Sequence, residues 1–120
     1  MSASSLALVL ISVALSAVAQ VAFKYGVSSD PGQSAHAFLG PLAKLLAPGV
    51  LVGLALYGIG TLLWLTALGR VELSQAYPFV GLGFALTTLA GWWLFGDHIS
   101  AQRLAGIALI VGGIVLVARS

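Results

Sequence analysis

The sequence predicts an all-α integral membrane protein of four transmembrane helices joined by short loops. Three observations carry this. The 120 residues are 60% hydrophobic and only 7% charged, with a mean hydropathy of +1.10, too little charge to cover a water-facing surface. Apolar runs of about 20 residues recur, the length that crosses a bilayer core. These runs are continuously apolar, whereas barrel strands alternate every second residue. Lipid cannot satisfy open backbone groups, so helices remain. The absence of cysteine excludes a disulfide framework or thiolate metal site. A net charge of +2 on scattered residues does not form a nucleic-acid-binding patch. Residues 1–120 read as one four-helix domain.

The first span is expected at about 6–23. Its flank MSASS has no Lys or Arg and its apolar run exceeds that of a usual secretory signal, so it reads as a retained span despite Ala17-Val18-Ala19. GVSSDPGQS, with Pro31 and two glycines, is a loop. In AHAFLGPLAKLLA, Phe38, Leu42, Leu45 and Leu46 share a helical face. That segment reads as a short interfacial helix or as an N-terminal extension of the second span. The second span is expected at about 48–68, with GRVELSQ as the following loop. The third is expected at about 76–95, followed by the turn GDHIS, and the fourth at about 104–117.

Four spans place both termini on one side with Arg70 and Arg119, and Lys24, Lys44 and Arg103 on the other. The positive-inside rule barely chooses between orientations. This balance and the small size of the bundle favour a dimer, antiparallel or built with a similar partner subunit.

Small residues let helices approach in lipid. Gly49 and Gly53 form a GxxxG pair; Gly83, Thr87 and Gly91 recur every four residues. These read mainly as contacts within the chain. The fourth span has no polar side chain from Leu104 to Ala118, and Gly106 and Gly113 lie two turns apart on one face. That face suits contact with another helix, either within the chain or in a second subunit. Pro78, with Gly81 and Gly83 just beyond, is either a flexing point or simply the first turn of the third span.

ISVALSAVAQVAFK poses the functional question. Ser12, Ser16, Gln20 and Lys24 are four apart, each about 40° round from the last, so they trace a slowly winding polar stripe. The amide of Gln20 needs partners inside a membrane. Lys24 either snorkels to the headgroups or holds an anionic group at a cavity mouth. Tyr57 and Trp64, seven apart, can line one face or act as interfacial belt residues, and Tyr77 is a further polar candidate. Glu72 and Arg70 read as a solvated loop pair. With no nucleophile–base set, metal cluster or phosphate loop, and no His inside a span, neither enzyme chemistry nor a cofactor or metal is expected.

The Gln20–Lys24 end of the first helix, AYPFVGLG, the WWLFGD turn and RLAGIALIVGGIVLV together resemble the drug/metabolite transporter superfamily in its small four-helix, EamA-like form. Small multidrug resistance proteins share the glycines at Gly81 and Gly83, the turn at Phe95-Gly96, and the pair at Gly106 and Gly113, which the resemblance assigns to a dimer interface. Those proteins exchange protons through a membrane-embedded Glu in the first helix. Here that position falls on Ser16, and no span contains a carboxylate. The chain is more similar to the small subunits that flip aminoarabinose–phosphoundecaprenol, which share the Gln and Lys, the AYP and the apolar last helix. That likeness implies a multi-pass protein of the bacterial inner membrane that flips a polyprenyl-phosphate-linked sugar as a dimer. Lys24 would face the phosphate; Gln20, Ser16, Tyr77, Tyr57 and Trp64 would line the path; Pro78, Gly81 and Gly83 would form the hinge. An exporter of hydrophobic or cationic metabolites and an accessory transporter subunit are the alternatives.

Overall fold

The computed structural model describes residues 2–28 and 46–120. Helix α1 runs Ala3–Ser28, α2 runs Pro48–Leu68, and the single-turn helix α3 runs Leu73–Ala76. A 3₁₀ turn, Tyr77–Phe79, leads into α4 (Val80–Leu94), and α5 (Ala101–Arg119) closes the chain. No strand occurs among the described residues. The segment containing Lys44 and the expected interfacial helix lies outside them.

Local chemistry explains the ends. Ser2 Oγ accepts the Ser5 N–H at 3.2 Å and starts α1; Ser100 Oγ accepts the Arg103 N–H at 3.0 Å and starts α5. Pro48 opens α2 in the first turn, where its missing N–H costs nothing. After α4, Gly96 takes φ +70°, a left-handed conformation suited to glycine. The Asp97 N–H thereby turns back onto the Gly91 carbonyl at 3.0 Å.

α1, α2 and α5 are each long and apolar enough to cross a membrane. At 26 residues α1 overshoots the expected 6–23, because Lys24 and Tyr25 end the apolar run without breaking the helix. The third crossing departs from the expected single helix at 76–95. It begins three residues earlier, at Leu73, and changes winding at Tyr77–Phe79. Pro78 has no N–H to donate one turn back, and the Val80 N–H instead reaches the Tyr77 carbonyl three residues earlier. α4 alone, at 15 residues, rises roughly 22 Å, short of a hydrocarbon core. With α3 and the 3₁₀ turn the composite reaches roughly 35 Å.

Packing is uneven. α1 and α2 meet backbone to backbone. A Cβ on Gly26 would lie 2.6 Å from the Val50 nitrogen, and one on Gly49 would lie 2.7 Å from Gly26 Cα. At Gly53 a Cβ would strike the Phe23 ring at 2.6 Å. Further along, Gly60 faces Leu15 and the Ser12 carbonyl at 3.3 Å. The GxxxG pair therefore serves contact within the chain, where close approach maximises dispersion in lipid. α4 leans on α1 where Val13 faces Gly83, and Ile110 and Ile114 of α5 nest on Gly81. Val9, Val13, Ala67, Phe79 and Ile114 form the buried core at the end of the bundle nearer the termini. There Arg70 Nη1 donates to Ser4 Oγ at 3.5 Å, which sets the α2–α3 loop beside the N-terminus.

α5 is peripheral. Ile114 is its one buried residue, and Leu109 is 78% exposed. Among the described residues nothing lies within 4 Å of a Cβ built on Gly106, Gly112 or Gly113.

Gly26→Ala and Gly49→Ala each force a methyl into opposing backbone. Each should cost about 1–3 kcal/mol, read as a lower midpoint in thermal unfolding followed by circular dichroism. Gly58→Ala, in open space on the same α2, should stay within about 0.5 kcal/mol of the parent.

Candidate functional site

The crevice between α1, α2 and the start of α4 encloses a cavity of about 240 Å³. Ser12, Val13 and Ser16 line it from α1; Tyr57, Gly60, Thr61 and Trp64 line it from α2; Tyr77, Val80 and Gly83 close it. The crevice exists because Gly60 brings α2 against the Ser12 turn while Gly83 holds α4 off by only the width of Val13.

Four of the site residues expected from sequence converge here: Ser16, Tyr57, Trp64 and Tyr77. Tyr57 and Trp64 are seven residues apart and share a face. Trp64 and Tyr77 meet edge to face, with ring centroids 6.3 Å apart and planes at 70°, a favoured aromatic geometry. Phe23 braces Tyr57 from α1 at 6.4 Å. Of the hinge residues, Gly83 lines the cavity, Pro78 sits in the 3₁₀ turn directly after Tyr77, and Gly81 is buried against α5.

Gln20 and Lys24 do not line this cavity and are exposed. The 40° advance per step carries the stripe round α1 and away from α2. Ser12 is buried and Ser16 faces the crevice, while Gln20 and Lys24 continue toward the side of α1 on which Val13 meets α4. Ala17 on that side is still buried; beyond it the same side is open. Gln20 and Lys24 thus lie on the exposed side of α1, about 6 and 12 Å along the helix from Ser16.

The cavity lining carries no carboxylate, ammonium, guanidinium or imidazole. Its polarity comes from hydroxyls and one indole. Ser12 Oγ donates to the Val9 carbonyl at 2.8 Å, and Thr61 Oγ1 donates to the Tyr57 carbonyl at 2.8 Å, so both are satisfied by their own helices. Ser16, Tyr57 and Tyr77 make no side-chain hydrogen bond among the described residues. Such a surface can exchange neutral hydrogen bonds with a hydroxylated group and pack ring faces against its C–H surface. Among the described residues it offers an ionised group no counter-charge. Among the described residues no cluster of His, Cys, Asp or Glu could hold a metal ion.

Sequence reading did not single out Thr61 or Gly60. The available signal was Thr61's place between Tyr57 and Trp64 on the same helical face. Phe23 was hidden by its apolarity within an apolar span.

Comparison with known proteins places the chain. Residues 43–110 match the Small Multidrug Resistance protein family. A relative from Pseudomonas fluorescens is 37% identical over 96% of this chain and 97% of its own; it is named probable 4-amino-4-deoxy-L-arabinose-phosphoundecaprenol flippase subunit ArnE. A relative of the same name from Pseudomonas aeruginosa strain UCBPP-PA14 is 39% identical over 97% of this chain and 98% of its own. No solved structure is significantly similar. With more than half of its length matched and such relatives aligned almost end to end, this multi-pass membrane protein belongs to the small multidrug resistance family.

Proposed function

We propose that the chain is one subunit of a dimeric transporter that flips a polyprenyl-phosphate-linked sugar across the bacterial inner membrane. The observation that carries this reading is the division of the site. A cavity lined, among the described residues, by hydroxyls and aromatic rings and by no charged group lies in the crevice, and the cation Lys24 stands about 12 Å along α1 from Ser16. The ligand that fits has a neutral, hydroxyl-rich headgroup next to a phosphate, with a tail that never leaves lipid. Tyr57, Trp64, Tyr77 and Ser16 receive the sugar; Gln20 and Lys24 receive the phosphate. The names of the relatives support a sugar carried on a polyprenyl phosphate; the 4-amino sugar in those names carries an amine that is a cation near neutral pH, and the uncharged cavity favours a neutral sugar in its place.

Family membership raises the reading of a proton-coupled exporter of cations. The position that resemblance assigns to the proton-carrying Glu is occupied by Ser16, which lines the cavity, and a hydroxyl neither titrates near neutral pH nor balances a cation. Transport here is moved by the substrate gradient or by consumption on the far side, with the Tyr77–Phe79 turn as the pivot that changes access. The chain transports rather than catalyses.

The second subunit docks on α5. Its glycine face meets nothing among the described residues, and a 19-residue apolar helix with a single buried residue has most of its surface left for lipid or another helix.

Purified protein should gain thermal stability with added undecaprenyl phosphate. At a hundred times the Kd the gain is about 2.7 kcal/mol, and Lys24→Ala should remove it while leaving the unliganded midpoint in place. Stabilisation by hydrophobic cations instead of the lipid would return the chain to the exporter class and leave Lys24 as a snorkelling anchor.

Gly113→Leu should convert dimers to monomers in detergent, measured by light scattering. The monomer's unfolding midpoint should be unchanged, because a Cβ there meets nothing among the described residues.

A further inference from the structure

A second concavity, of about 340 Å³, lies on the outside of the bundle between α4 and α5. Thr88, Leu89 and Trp92 line it from α4, Ile99 lines it from the turn, and Leu104 and Ile107 line it from α5. The hydroxyl in that set, Thr88 Oγ1, is bonded to the Phe84 carbonyl of its own helix at 2.7 Å. What remains is almost wholly hydrocarbon apart from the indole N–H of Trp92, unlike the crevice on the other side of α4.

We infer that this groove holds one acyl chain of an anionic phospholipid, with the phosphate held by Arg103. Three observations choose this occupant. Arg103 stands next to Leu104 in the first turn of α5, and its Nη1 donates to the His98 carbonyl at 2.9 Å, drawing the guanidinium over the turn whose Ile99 lines the groove. No ion pair joins Arg103 to a carboxylate among the described residues, and the Asp97 carboxylate lies against Gly91. Trp92 and Trp93, both exposed, sit at this end of α4, the level at which indoles settle at the headgroup boundary. A cation at headgroup depth above an apolar slot is complementary to an anion on a long chain.

A second copy of the chain is a poorer fit. Gly106 and Gly113, the face open to another helix, lie roughly 160–180° round α5 from Leu104 and about 100–120° from Ile107. A partner docked on the glycines leaves the groove facing lipid.

The test uses the single-tryptophan variant Trp64→Phe/Trp93→Phe, in which Trp92 reports from the groove wall. The protein is reconstituted into phosphatidylcholine vesicles containing either brominated phosphatidylglycerol or brominated phosphatidylcholine. Quenching of Trp92 should give a relative binding constant about fivefold in favour of the anionic lipid, the value of one cation near a membrane surface, and Arg103→Gln should bring the ratio to one. Equal quenching by both lipids would overturn the inference and leave ordinary boundary lipid. No quenching by either would mean that a second copy covers the groove, which also overturns it. Displacement of the brominated lipid by trace undecaprenyl phosphate would reassign the groove to the transported carrier. Because the single-tryptophan variant can lose its fold, the wild type and Arg103→Gln are also compared by mass spectrometry of co-purified lipid. Retained phosphatidylglycerol in the first and its loss in the second is expected; identical lipid content in both would sink the assignment.

Discussion

The contact between Gly26 and Gly49 is the constraint on which the rest of the bundle rests. In water, two apolar helices are pressed together by burial of their surfaces. In lipid that drive is absent, and association depends on how closely the atoms approach. Here no side chain intervenes: the Val50 nitrogen occupies the place a Gly26 methyl would take. Gly53 and Gly60 continue the approach along α2, so α1 and α2 behave as one double rod. α4 and α5 are then added to it one at a time, each by a single glycine notch. The crevice is what is left where α4 rests on Val13 instead of entering the α1–α2 seam.

That arrangement separates two kinds of polarity which the sequence places on one stripe. Ser12 and Ser16 face the crevice because their angle matches the seam; Gln20 and Lys24 have already turned out of it. The separation suits a ligand with chemically distinct ends. A neutral headgroup can enter a cavity whose only offers are hydroxyls and ring faces. A phosphate can stay near Lys24, where exposure spares both charges the cost of full desolvation.

How much of this is legible in sequence follows from which forces act locally. Continuous hydropathy marks α1, α2 and α5, since a membrane span is a property of composition. Gly49 and Gly53 are legible as a contact, because no other role suits a small-residue pair in a span. Tyr57, Trp64 and Tyr77 can be named as candidates, and the structure brings them together. Their convergence cannot be read from spacing, since Tyr77 arrives from another helix. The winding change at Tyr77–Phe79 is signalled by Pro78, but its sense is not: a proline permits a kink, a first turn or a tightened turn, and the packing of Phe79 in the core decides among them. The exposure of Gln20 and Lys24 depends on where α4 stops covering α1, a tertiary fact with no local mark.

The notch at Gly81 has a mechanical consequence. Ile110 and Ile114 of α5 sit in it, a few residues beyond the tyrosine that closes the crevice. Among the described residues α5 touches little beyond α4 and the Tyr77–Phe79 turn, so it is placed as a lever whose short arm ends near Tyr77 and whose long arm runs beside the outer face of α4. Whatever grips the long arm pulls on the crevice. If gripping that arm changes how the crevice is filled, filling the crevice changes the grip by the same factor. A cavity without charge and a helix without partners are thus two ends of one linkage, joined through a residue that has no side chain.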